Sequence, residues 1–255
     1  MHSYTPLMKK LVLPVLFLFC TAAVIAQKNK NDYFLLYDTG WNQITDKNKA
    51  SYFIRIHKLN DTAWRHDYYN MAGPKMAMET FKDEDGTLPN GRFAWYNVLG
   101  YIDSTGLVQD GKRHGRWVTY IPNKYAVKAV YWKEYDHGIL IREKEIEDKP
   151  EDEKPGPGEG PAEFKGRFKD FLERNLKYPD RAMSIKLGNT VTIDFIVDTA
   201  GNVTDPLVMR SIEYSLDNEA ERVIILSSGK WQPGSKDGKP AKSYHRQPIA
   251  YYLSN

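Results

Sequence analysis

The chain has 255 residues, with 36 Lys and Arg against 33 Asp and Glu for a net charge of +3, and 13% aromatics. That length fits one large or two small domains. The near-balanced charge, with no basic stripe interleaved with aromatics, excludes a nucleic-acid partner.

The first 26 residues read as an export signal. Lys9 and Lys10 precede an apolar run over residues 11–19, interrupted only by Pro14. Small residues then lead to Val24-Ile25-Ala26, a cleavage point before Gln27. The alternative is an uncleaved inner-membrane anchor facing the periplasm. Residues 11–26 number 16, short of the roughly 20 that span a bilayer. Cleavage therefore leads, and the mature chain is expected in the periplasm. Cys20, the only cysteine, follows Phe19 rather than a small residue, so acylation is not expected. Its removal with the signal would exclude disulfides, thiol catalysis and cysteine-based metal sites.

Residues 27–147 read as β-rich, with residues 27–80 mixed and mostly strand. Residues 52–59 alternate, Phe53 facing opposite to Ile54 and Ile56. Asp83-Glu84-Asp85-Gly86 reads as a hairpin tip, because no ligand set follows at EF-hand spacing. Gly91-Arg92-Phe93-Ala94-Trp95-Tyr96 recurs 24 residues later as Gly115-Arg116-Trp117-Val118-Thr119-Tyr120. Between the copies, residues 103–106 and 110–115 carry turn signals, and a degenerate third unit covers residues 130–138. This period predicts stacked β-hairpins. Asp110-Gly111-Lys112-Arg113-His114-Gly115-Arg116-Trp117 resembles a MORN-type hairpin repeat. That resemblance implies a single-layer sheet used as a scaffold, without catalytic residues.

Residues 148–161 hold prolines, glycines and charges but no apolar side chain to bury, so they read as a linker between residues 27–147 and 162–255. Gly156, Gly158 and Gly160 follow no strand and precede Pro161, which excludes a phosphate loop.

Beyond the linker, Phe164, Phe168, Leu172 and Leu176 place an apolar stripe on a helix over residues 162–177, stopped by Pro179. Val191, Ile193, Phe195 and Val197 alternate with polar residues, giving a strand with one buried face. A hairpin loop at residues 198–202 leads to a partner strand over 203–212. Ser215 or Asp217 can cap a helix that buries Leu216, Ala220, Val223, Ile224 and Ser227 and ends near Gly229. Residues 234–240 read as a loop, and a last strand covers residues 243–253. The fold class is α+β, a three-stranded antiparallel sheet in helix-strand-strand-helix-strand order with helices on one face.

Catalytic chemistry finds little support. His57, His66, His114, His137 and His245 lie in separate segments without metal-ligand spacing. Ser211 and Ser227 lack a nucleophile-elbow context. No catalytic residue, metal or cofactor is assigned, and a binding protein is expected rather than an enzyme.

Asn175, Tyr178-Pro179, Arg181-Ala182, Gly188, the 198–201 turn, Trp231-Gln232-Pro233-Gly234 and Pro248-Ile249 occur in an order that resembles the TonB C-terminal domain. The resemblance covers about 80 residues. It implies a Gram-negative envelope protein of TonB-dependent transport that takes an extended peptide of an outer-membrane transporter, or of another envelope protein, onto a sheet edge. Carried over by motif position, Asn175, Tyr178, Pro179 and Arg181 would flank the peptide. Arg246, Gln247, Pro248, Ile249, Ala250 and Tyr251 would offer the edge, where the missing N–H of Pro248 is tolerated. A proline at Ile249 is then expected to abolish strand addition and spare the fold. Inner-membrane motor proteins would be partners only if residues 1–26 are retained. The short linker and the preceding hairpin domain depart from an energy transducer. The alternative is a periplasmic adaptor that binds without energy transduction.

Overall fold

The computed structural model describes residues 31–122, 127–146 and 160–253. The export signal and residues 148–159 of the linker lie outside the described residues. Among the described residues no helix is long and apolar enough to cross a membrane.

The first half is an antiparallel meander. Its strands are β1 (Asp32–Tyr37), β2 (Gln43–Ile44), β3 (Tyr52–Asn60), β4 (Ala63–Asn70), β5 (Lys75–Phe81), β6 (Pro89–Tyr96), β7 (Ile102–Gln109), β8 (Lys112–Pro122), β9 (Val127–Asp136) and β10 (Ile139–Glu145). Sheet order runs β10-β9-β8-β7-β6-β5-β4-β3-β1-β2, so nearly every strand pairs with its sequence neighbour. The two copies of the 24-residue repeat fall on β6 and β8, one hairpin apart, as a stacked-hairpin period requires.

Residues 103–106 are not a turn; they lie inside β7. Gly106 serves a different need there. A Cβ on it would stand 2.3 Å from the Trp117 ring of β8, so glycine makes room for that indole. Trp117 stacks on Trp95 at 5.1 Å and joins Phe81, Phe93 and Val108 in a cluster on one face of the sheet.

The second half comprises β11 (Glu163–Phe164), α1 (Phe168–Asn175), α2 (Asp180–Ser184), β12 (Thr190–Val197), β13 (Val203–Arg210), α3 (Tyr214–Leu226), β14 (Trp231–Gln232), β15 (Gly234–Lys236), β16 (Lys239–Ala241) and β17 (Ser243–Ala250). The expected three-stranded antiparallel sheet is present, in order β13-β12-β17. Val191, Ile193 and Val197 are fully buried, and Phe195 nearly so. Leu216, Ala220, Val223 and Ile224 of α3, fully buried too, belong to the same core.

Four local expectations change. The helix expected over 162–177 is confined to α1, because Glu163 and Phe164 pair with Gln232 and Trp231 as β11 and β14. The Phe164 ring meets Trp231 edge-on at 5.3 Å, so tertiary packing outweighs the four-residue period. Pro179 stops one helix and, as N-cap, starts another, α2. The N-cap of α3 is Glu213, whose carboxylate accepts the Ser215 N–H at 2.8 Å. Residues 234–240 form the β15–β16 hairpin rather than an irregular loop.

The two halves share a hydrophobic core. Met78, Ala94, Tyr96 and Ile102 of the large sheet join the cluster built by β12, β13 and α3. Helix α3 therefore packs on two sides. The second stripe, Tyr214, Asp217, Asn218 and Glu221 at i, i+3, i+4 and i+7, faces the large sheet, with Asp217 buried, Tyr214 and Glu221 half-buried and Asn218 exposed at its margin. The Tyr214 ring sits edge-on to Phe34, Phe53 and Tyr69 at 5.3–5.6 Å.

Candidate functional edge and its docking interface

The three-stranded sheet has two outer edges, and they differ. The β13 edge is covered at its C-terminal end by the β6–β7 turn. Tyr101 bridges to Arg210, and the Ser211 N–H donates to the Gly100 carbonyl at 2.8 Å. Among the described residues no strand pairs with the outer edge of β17.

Register fixes which groups β17 presents. Val191 lies opposite Ile249 and Thr192 opposite Pro248. The Tyr251 N–H donates to the Asn189 carbonyl at 3.0 Å. In an antiparallel ladder backbone direction alternates, so residues 243, 245, 247 and 249 bond inward to β12, while 244, 246, 248 and 250 turn their backbones outward. Pro248 thus lacks an N–H on the outer edge, where no bond to β12 is lost. The Gln247 carboxamide donates to the Pro248 carbonyl at 2.9 Å. Both features blunt the middle of the edge, a device that limits indiscriminate pairing. Tyr244 stands 82% exposed beside the outward backbone.

Ile249, in contrast, is fully buried and bonds inward. A proline there would break the central ladder and the core, so that substitution cannot separate binding from folding.

The resemblance-derived residues separate into two groups. Arg246, Gln247, Pro248, Ile249 and Ala250 form β17, and Tyr178 meets Tyr251 edge-on at 5.7 Å while its hydroxyl donates to the Leu187 carbonyl at 2.8 Å. Arg246 forms a two-pronged pair with Asp194 at 2.7 Å on the outer face. The other residues lie apart from this edge. Asn175 ends α1, donating to the Phe171 carbonyl at 2.7 Å and accepting from Arg222 at 2.6 Å. Arg181 turns toward the large sheet. It pairs with buried Glu213 at 2.5 Å, reaches the Met71 carbonyl, and lies 5.8 Å from the Phe53 ring centre. Pro179 caps α2. Tyr244 carries no sequence signal beyond an even position in the last strand.

Behind the edge lies a buried polar interface. Arg65 of β4 grips Glu221 of α3 with two bonds of 2.8 and 3.0 Å, and its Nε donates to Asp67 at 2.9 Å. Lys75 completes the group on Asp67 at 2.8 Å. Burial pushes the Asp67 carboxyl up, but Arg65 and Lys75 outweigh it and hold the group well below the usual carboxylate range. Asp217 differs. It accepts from Ser211 at 2.5 Å, Tyr69 at 3.1 Å and the Ile212 N–H at 3.0 Å, yet burial, opposed by Lys75, raises it from 3.8 to about 6.

That shift predicts a pH effect. A carboxyl raised in the folded state favours folding most fully below its unfolded value of 3.8, and the contribution is lost as pH rises through about 6. Two units correspond to roughly 3 kcal/mol. Asp217→Asn is expected to remove this component, so urea unfolding between pH 4 and pH 7 should show wild-type stability declining relative to the variant. Parallel pH profiles for the two proteins would contradict the assignment.

Residues 174–253 match the model of a family described as Gram-negative bacterial TonB protein C-terminal. No characterised protein and no solved structure matches the chain.

Proposed function

We propose a peptide-docking function for this chain, from the premise that its C-terminal unit, residues 174–253, belongs to the TonB C-terminal family. Domains of that family act in Gram-negative envelope transport, by binding rather than by catalysis. The chain acts in the periplasm and takes an extended segment of an outer-membrane transporter, or of a related envelope protein, as an added strand on β17. The supporting observation is the asymmetry of the sheet edges: the β6–β7 turn covers β13, and no described strand pairs with the outside of β17. Main-chain hydrogen bonds would supply affinity, and exposed Tyr244 a side-chain contact.

The experiment compares Tyr244→Pro with Tyr244→Ala. Residue 244 turns its backbone outward, so proline removes an edge donor without touching the bonds to β12. Alanine removes the ring and keeps the donor. Calorimetric titration uses a synthetic peptide from the plug segment of an outer-membrane transporter of the same organism. Tyr244→Pro should weaken binding roughly tenfold beyond Tyr244→Ala, the worth of one lost hydrogen bond. Equal affinities in two folded variants would sink the edge assignment.

A periplasmic adaptor without energy transduction is the second reading. Its support is the docked ten-stranded sheet, which gives the peptide-binding unit a second protein surface. The intact mass and membrane fractionation of the native protein separate the two. A soluble chain starting at Gln27 supports the adaptor, and a membrane-retained chain carrying residues 1–26 supports coupling to an inner-membrane motor.

A further inference from the structure

We propose that His114, Asp136 and His137 form a binding site for a divalent cation of the zinc class, at the end of the large sheet remote from α3. Sequence spacing hides it, because His114 belongs to β8 while Asp136 and His137 lie at the β9–β10 turn. The Gly138 N–H donates to the Arg113 carbonyl at 2.7 Å and pins that turn onto the start of β8. One donor atom from each of the three side chains then falls within 4.8 Å of the others. His137 Nδ1 lies 2.6 Å from Asp136 Oδ1, and His114 Nδ1 lies 3.6 Å from the same oxygen.

These spacings bracket what a tetrahedral cation needs. Ligands about 2.1 Å from zinc sit about 3.3 Å from one another. A second observation is independent of the clustering. His114 Nδ1 is shielded from solvent and has no hydrogen-bond partner. A shielded nitrogen in that state is unfavourable unless something coordinates or bonds it. At 3.6 Å the carboxylate is too far to serve as a hydrogen-bond partner. A cation between the two would satisfy both.

The donor set selects the ion class. Two imidazole nitrogens and one carboxylate oxygen suit zinc and other first-row divalent ions, whereas calcium and magnesium take oxygen ligands. Three protein ligands leave at least one position open to water or to a donor from a bound partner. Loading the site would cross-link the tip of the β9–β10 hairpin to β8. β10, the other strand of that hairpin, is exposed along its whole length and forms one end of the sheet.

The test titrates zinc into the chelator-treated full chain by calorimetry, with cobalt absorption as a reading of the donor set that needs no variant. One saturable zinc per chain, a raised melting temperature and cobalt bands typical of nitrogen and oxygen ligands are expected. His114→Ala and His137→Ala should each weaken binding at least about tenfold, since even partners behind the ligands are worth that much. Zinc uptake unchanged in the double variant would mean adventitious binding elsewhere and overturn the site. Absence of saturable uptake at millimolar zinc would overturn it too.

Discussion

Arg65→Ala is expected to cost about 3–5 kcal/mol of folding stability, read by urea unfolding of the full chain. The magnitude follows from the charges left behind. Arg65 and Lys75 face Asp67 and Glu221 across the contact between β4 and α3, so two cations balance two carboxylates. Without Arg65, one ammonium must serve both carboxylates. Asp67 and Lys75 have side chains only 2% exposed, so water cannot substitute for the lost guanidinium. Arg65 also makes the two-pronged bond to Glu221, which ties the halves of the chain together. The companion variant Arg65→Met with Glu221→Leu discriminates causes. Removing both partners leaves no orphaned charge on α3, so most of the loss should be recovered. A single-variant loss below about 1 kcal/mol would mean the pair behaves as a surface bridge, and docking then rests on the apolar contacts around Tyr214.

The same interface explains where the sequence was legible. The alternation of Val191, Ile193, Phe195 and Val197 predicts β12 because one face of that strand meets a purely apolar core. Leu216, Ala220, Val223 and Ile224 identify α3 for the same reason. The other stripe of α3 is Tyr214, Asp217, Asn218 and Glu221, and periodicity assigns such residues to solvent. Their partners Arg55, Arg65 and Tyr69 lie about 150 positions earlier, and no local pattern connects them. The linker divides the two halves in sequence and carries no signal of the core that they share. The candidate edge was legible in identity and not in register. Pro248 marks an edge strand from sequence alone, yet the inward bonding of Ile249 and the outward backbone of residue 244 follow only from the Val191–Ile249 pairing and the Tyr251–Asn189 bond. A one-residue change of register exchanges these roles.

Gly100→Val is expected to lift the β6–β7 turn from β13 and to cost about 3 kcal/mol or more. Gly100 has φ of +80°, a conformation that a β-branched residue strongly resists. A Cβ would also stand 2.2 Å from the Ser211 carbonyl oxygen and 2.7 Å from the Pro74 Cβ. The first neighbour is backbone and cannot rotate away. The turn holds β13 through the Gly100–Ser211 hydrogen bond and the Tyr101–Arg210 bridge, reinforced by the Arg210 guanidinium 5.2 Å from the centre of the Tyr101 ring. Displacing it exposes the second edge of the three-stranded sheet. A sheet with two open edges can pair with further copies of itself at either side. Thermal unfolding should therefore report the lost stability, and light scattering should report concentration-dependent self-association absent from the wild type. Peptide affinity at β17, on the opposite edge, should be retained in the monomeric fraction. A gain of peptide binding with no self-association would place the functional edge at β13 instead.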